Sequence, residues 1–487
     1  MRSILIGALI AATAHPAIAA SGVETKLRAH MAVLADDAMQ GRKPGTEGET
    51  KALAYLTQQF AKAGFVPGAK DGSWYQRVTL AKRAPRNASV SWAGGSIGND
   101  ELVLFGREPL VKLSTARLVY AGHGVVTAER DDLAGLDLEG AVVLIRASAP
   151  KGVKAPSAAE RARLMHARRA AATILIYDST TPFEKLRDSV RSGAATLGAV
   201  EQPPLTGYIS QAAADRLLAA AKADPADLAR RSDGAGFHAV ATDFPLTVLA
   251  DTVVRSYDSY NVIGRLPGRA SDGRAVLFMG HWDHLGLCRP EGAPDRICNG
   301  AVDNASGLAM MIEIARGLGK GRRPDRDMVM VATTAEEMGL LGAEAYAADP
   351  SVPLTDIIAS FNLDTVAIAP KGTPVAIMGR GLTPLDPAID QVVRKLGRKI
   401  DNDQEEKDFL PRQDGWALHK RGVNAVMVGG SFSDMDRLMT YIRGPYHGPG
   451  DDMTQPLVLG GAAEDVTLNI ALGRRFGDRK AWPIASR

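Results

Sequence analysis

Six side chains able to bind a divalent cation or move a proton fall in short stretches of the C-terminal half of this 487-residue chain. They are His281 in GHWDHLG (280–286), Asp303 in GAVDNASG (300–307), Glu336 and Glu337 in TAEEMG (334–339), Asp364 in NLD (362–364) and His447 in YHGPGD (446–451). Neutral imidazole and carboxylate suit Zn²⁺. Two such ions about 3.5–4 Å apart can share a carboxylate and a water, lower that water's pKa toward ~7 and polarise a carbonyl. A base beside that water completes a hydrolase. Each stretch also has a plainer reading. Asp303 stands at the mouth of a helical pattern, where an aspartate often serves as an N-cap. Adjacent glutamates are commonly a solvated pair, but here they follow an apolar run, where two acids are costly to bury without a cation. One would ligate and the other would take a proton. Asp283, two residues after His281, could accept the second imidazole N–H and fix its tautomer.

The ligands follow runs that read as strands. Residues 274–280 (RAVLFMG) end at His281, 328–332 (MVMVA) end just before Glu336, and 357–363 end at Asp364. Residues 425–428 form a fourth run. Between them, 304–318 carries Leu308, Met311, Ile312 and Ala315 at helical spacing, and 466–476 reads as a closing helix. Strands alternating with helices predict a doubly wound α/β sheet, whose sites form beyond the C-terminal strand ends. Residues 24–66 read as two helices joined by the turn-rich 40–46. Residues 86–245 differ in character. Strand-like runs at 116–120, 141–145 and 172–177 alternate with Ala-rich helical stretches at 158–171 and 211–222, with no cluster of metal-binding side chains. A small α/β unit of its own is expected there, with His123, His166 and His238 scattered through it.

At the N-terminus, Arg2 precedes an apolar run and the small residues end in Ala17-Ile18-Ala19, the pattern of a secretory signal peptide over 1–19. No later stretch reaches the ~18 apolar residues of a membrane span. The reading is a periplasmic or secreted chain without a membrane span. A net charge of +3 with no Lys/Arg run gives no electrostatic case for nucleic acid. The only cysteines, Cys288 and Cys298, share one loop, and an oxidising compartment would let them pair.

Taken in order, His281-x-Asp283, Asp303-Asn304-x-Ser306-Gly307, Glu336-Glu337-x-Gly339-Leu340-x-Gly342, Asn362-x-Asp364 and Tyr446-His447 resemble the M28 family of zinc peptidases, which includes leucyl aminopeptidases and aminopeptidase S. The resemblance implies a zinc-dependent exopeptidase fold acting on peptide or protein substrates. It implies two zinc ions per chain, one held by His281 and Asp364, the other by Glu337 and His447, with Asp303 between them. It makes Glu336 the general base, Asp283 the group that orients His281, and Tyr446 the phenol that stabilises the oxyanion. Residues 118–145 (LVYAGHGVV…LAGLDLEGAVVLI) resemble the protease-associated domain inserted in many members, which in relatives lies over the active-site side. The domain reading is therefore 1–19 leader, 20–111 first part of the peptidase domain, 112–245 insert and 246–487 catalytic domain. The chain departs from the family in three places, one of them Thr365-Val366 after Asp364 where Met and Gly are more usual. The stretch between His281 and Asp303 is long, and Gln413-Asp414-Gly415 stands where many relatives have Ser-Asp-His.

An aminopeptidase is the favoured activity. A glutaminyl cyclase, which shares the fold and most ligands but uses one zinc, is the first alternative. A carboxypeptidase would need a cationic pocket, for which Arg380, Arg412 and Arg443 are available. Oligomeric state is not legible.

Overall fold

Apolar runs with no polar alternation predict strands covered on both faces. The computed structural model describes residues 22–198 and 203–483 and places four such runs side by side. The leader expected at 1–19 lies outside the described residues. Strand Ala275–His281 is buried along its whole length and is central. It runs parallel to Asp327–Thr333 on one side and to Ile357–Asn362 on the other. Ile357–Asn362 is in turn parallel to Ala425–Gly429. The flanking strands reverse direction. Ala376–Met378 pairs antiparallel with Ala425–Gly429, and residues 262–266 pair antiparallel with 328–332. The sheet is mixed, with a parallel centre.

Helices cover both faces. Gly22–Leu34, Glu47–Lys62, Gly307–Gly319 and Gly460–Gly477 pack on one face over Val276, Phe278, Met330 and Phe361. Phe278, Phe361 and Phe476 form a ring stack across this layer, with centroids 5.5 and 5.8 Å apart. Leu341–Ala348 and Gly415–His419 cover Leu277, Met279 and Val331 on the other face. Helix Gly307–Gly319 is buried almost all round, as its apolar composition requires. Because the central strands are parallel, their C-terminal ends share one edge, and the candidate ligands follow those ends.

Residues 78–259 form a second unit with its own core. Strands Leu110–Tyr120, Val142–Arg146, Ala172–Tyr177 and Leu205–Ser210 pair in parallel in that order. Leu102–Gly106 closes the edge antiparallel. The limits expected from the sequence, 112 and 245, differ from these. Residues 102–106 pair with 205–209, and 110–116 pair with 246–251, so both flanks belong to this unit's own hydrogen-bond ladder. The sequence border followed a change of composition, which long-range pairing does not respect. Among the described residues no helix is long and apolar enough to cross a membrane.

Candidate metal centre

His281 is the last residue of the central strand. Asp303 lies in the turn Ala301–Ser306 that leads into Gly307–Gly319. Glu336 and Glu337 follow strand Asp327–Thr333, Asp364 lies two residues beyond Ile357–Asn362, and His447 follows helix Met435–Arg443. These five loops converge. Asp303 places Oδ1 3.2 Å from His281 Nε2 and Oδ2 3.3 Å from His447 Nε2. Asp364 Oδ1 is 3.6 Å from the same His281 nitrogen. Glu337 Oε2 is 3.0 Å from His447 Nε2. One carboxylate therefore stands between two imidazole–carboxylate pairs. His281 Nε2 is buried and makes no aligned hydrogen bond, although it faces two carboxylate oxygens. Ligand atoms of His281, Asp303 and Glu337 lie within 4.8 Å of one another. A buried, unbonded imidazole nitrogen among acids is the environment a divalent cation completes, and the donor set fits zinc.

The surrounding structure fixes each donor. His281 Nδ1 lies 3.1 Å from the main-chain carbonyl of Asp283, while the Asp283 carboxylate is 3.9 Å away. The orienting acceptor expected on the Asp283 side chain is thus its backbone oxygen, which the two-residue spacing brings closer. The carboxylate instead accepts the Glu336 main-chain N–H at 3.0 Å. Asn304 ties two ligand-bearing segments. Its amide donates to the carbonyls of Leu363 and His281 at 3.0 and 3.4 Å, and its oxygen accepts from Gly307 N–H at 3.0 Å. A Cβ at Gly280 or Gly307 would stand 2.5 or 2.4 Å from the Leu363 carbonyl oxygen, so only glycine lets these segments close. Arg42, fully buried, donates to the carbonyls of Leu34, Trp282, Asn299 and Gly300 beneath the site. His284 Nδ1 is 2.6 Å from Glu337 Oε1. Asp414 is buried against Thr333 and within the field of His281.

Charge follows from these contacts. Burial opposes ionisation of Asp303, but hydrogen bonds from His281 and His447 hold its carboxyl well below the usual range. Burial raises Glu336 well above it, against the pull of His281. Burial likewise pushes Asp283 up to about 8 and Asp414 to about 6. Burial would lower His447, but Asp303 and Glu337 lift it to about 9. The Tyr446 phenol, raised by burial and the nearby acids, stays protonated and able to donate. Its ring stacks on His447 with centroids 3.7 Å apart.

A small cavity of about 50 Å³ opens beside Asp364 and Tyr446 and is walled by Phe409, Phe432 and Ile442, with Arg412 also lining it. Arg380 is engaged with Asp390 at 2.8 Å. Cys288 and Cys298 are joined, with their sulfurs 2.01 Å apart, inside the long 281–303 loop.

A mixed α/β sheet thus carries imidazoles and acids along one edge. Residues 261–469 match the model of "Peptidase family M28". A probable zinc metalloprotease of Pyrenophora teres f. teres is 27% identical over 227 residues, which is 45% of this chain and 43% of that protein. A probable glutamate carboxypeptidase of Arabidopsis thaliana is 24% identical over 227 residues, covering 43% and 30% of the two chains. The chain thus spans about half or less of these curated relatives. An aminopeptidase from Aneurinibacillus sp. strain AM-1 superposes with a TM-score of 0.53 at 20% identity, covering 92% of this chain and 93% of that one. At that identity the likeness is one of fold.

Sequence reasoning assigned no role to Asn304, Arg42, His284, Asp414 or Asp451. His284 was visible beside Asp283. Asn304, Arg42 and Asp451 act through main-chain groups far away in sequence, and Asp414 through the distant Thr333 hydroxyl, which no spacing reveals.

Proposed function

We propose that this chain is an exported two-zinc aminopeptidase that releases N-terminal residues from peptides. The observation that carries the reading is Asp303, with one oxygen turned to His281 and the other to His447. His281 and Asp364 would hold one ion, Glu337 and His447 the other, and Asp303 both. When bound, two zinc ions supply Lewis acidity and bring the pKa of a water toward ~7. The chain's own groups do the rest. Glu336, whose carboxyl is raised by burial, takes a proton from the attacking water and returns it to the leaving amine as the C–N bond breaks. Its backbone is held by Asp283, which keeps that carboxylate in place. Tyr446 donates its hydroxyl hydrogen to the carbonyl oxygen as negative charge develops there.

The direction of attack on the peptide follows from charge. Six carboxyl groups (Asp283, Asp303, Glu336, Glu337, Asp364 and Asp414) surround the site. Arg412 is the cation lining the adjacent cavity. Such a field suits a substrate's α-ammonium better than its carboxylate. Residues 78–259 are proposed as the protease-associated type of unit, on the likeness of 118–145. The leader-like 1–19 and the disulfide support action outside the cytoplasm.

Three peptides test the activity. A peptide with a free N-terminus and an amidated C-terminus should be cleaved from its amino end. Its N-acetylated counterpart should survive. A peptide beginning with Gln should release glutamine rather than close to pyroglutamate. Hydrolysis of the acetylated peptide, or cyclisation without hydrolysis, would contradict the reading.

A further inference from the structure

The loop that carries His447 is bolted to the turn that carries Asp303 by one residue, Asp451. Its side chain is wholly buried. One carboxylate oxygen accepts the Val302 main-chain N–H at 2.9 Å, and the other accepts that of Asp303 itself at 3.1 Å. The Tyr441 hydroxyl donates to it at 2.8 Å, and Gln455 Nε2 at 2.5 Å. Its own carbonyl accepts from Ala301 N–H at 2.9 Å. Its N–H donates to Gly448 O at 3.1 Å, which closes the turn 448–451 directly after His447. Three consecutive main-chain N–H groups, 301 to 303, therefore all end on one residue four positions after His447. Asp303 and His447 come from segments about 144 positions apart. This joint lies beside the 3.3 Å approach of Asp303 Oδ2 to His447 Nε2.

Asp364 and His281 have no such dependence. His281 is anchored by the central strand and the Asp283 carbonyl, and Asp364 follows the neighbouring strand. We propose that Asp451 is a positioning residue that joins Asp303 to His447, and that it sets chiefly the affinity of the subsite formed by Asp303, Glu337 and His447, the other subsite sharing only Asp303 with it. The proposal rests on the two-zinc reading above. Asp451 touches no substrate and needs no change of protonation. Its contribution is geometric, because two acceptor oxygens on one rigid carboxylate fit two successive N–H groups. Asparagine in its place presents an NH₂ donor to one of them and pushes that segment away.

Equilibrium zinc binding to the full chain tests this, by dialysis and metal analysis at fixed free zinc with thermal unfolding in parallel. Wild type should hold two zinc ions. Asp451→Asn should hold one tightly and bind the second about 10–100-fold more weakly, as loss of a partner that orients a ligand typically does. Excess zinc should restore activity. Added to Asp364→Asn, which cripples the first subsite, Asp451→Asn should remove the remaining ion. Added to His447→Ala, which already empties that subsite, it should weaken the remaining ion far less. Tyr441→Phe, which keeps the ring and removes one hydrogen bond, should show the same selective weakening to a smaller degree and covers the case that Asp451→Asn does not fold. Unchanged binding, or equal loss from both subsites, would overturn the proposal. A wild type that holds a single ion would overturn the two-zinc reading itself, before any variant is compared.

Discussion

A Glu336→Gln substitution separates proton transfer from metal binding. The amide keeps the shape of a side chain whose backbone is held by Asp283, and it removes the basic oxygen. Zinc content and unfolding temperature should match wild type, while kcat falls by roughly 10²–10⁴-fold. Near-normal turnover would remove Glu336 from the mechanism. Tyr446→Phe deletes one donor to the developing oxyanion and should cost about 10²–10³-fold in kcat with little change in KM, read from initial rates. At this scale much was legible in the sequence. His281, Asp303, Glu337, Asp364 and His447 were named from residue type, from the loops they occupy and from the resemblance to M28 peptidases, and the structure brings them together. The role of Asp283 was only partly legible, because a choice between a carbonyl and a carboxylate 3.1 and 3.9 Å from one nitrogen is not encoded in spacing.

At the scale of elements, the joints between loops and helices carry the stability of the site. Arg42 satisfies four carbonyls from three segments. Burial lowers its pKa to about 10, so it remains charged at neutral pH. Arg42→Met would leave those carbonyls buried without donors and should cost on the order of 3 kcal/mol in denaturant unfolding. A loss below about 0.5 kcal/mol, the scale of an ordinary surface change, would show that water replaces the guanidinium. Farther from the metal centre, Glu313 on helix Gly307–Gly319 joins helix Gly22–Leu34 through His30 at 3.3 Å, with Lys26 and Arg316 close by. Burial opposes its charge, but the His30 hydrogen bond and the two cations hold its carboxyl below the ordinary value. A depressed carboxyl contributes stability that is present above its unfolded pKa of about 4.3 and lost as pH falls through the folded value. Wild type should therefore exceed Glu313→Gln in stability at pH 7, and the gap should close in acid. A gap that widens in acid would reverse the assignment. The central strands and helices of the catalytic part were legible to within a few residues because continuous apolar runs and helical stripes survive in any context. The long strands Tyr75–Trp92 and Val240–Leu266 were not. They are rich in polar residues, each contains a proline, and pairing partners rather than local pattern hold them extended.

For the whole molecule, the fold gathers ligands from five loops that share one sheet edge, so the site exists only when the central parallel strands are in register. Truncating the stacked core at Phe361, which touches both Phe278 and Phe476, should cost about 3–5 kcal/mol. The sequence carried this architecture through its alternation of strand, ligand and helix. It did not carry the limits of the second unit, because those depend on which distant strands pair. The central claim is that Asp303 joins two zinc ions. X-ray data collected on either side of the zinc absorption edge, from crystals of the full chain grown with zinc, test it most directly. The expected map holds two zinc peaks about 3.5–4 Å apart, one between His281 and Asp364 and one between Glu337 and His447, with an oxygen of Asp303 on each. A single peak, or peaks that leave Asp303 without a metal contact, would contradict it.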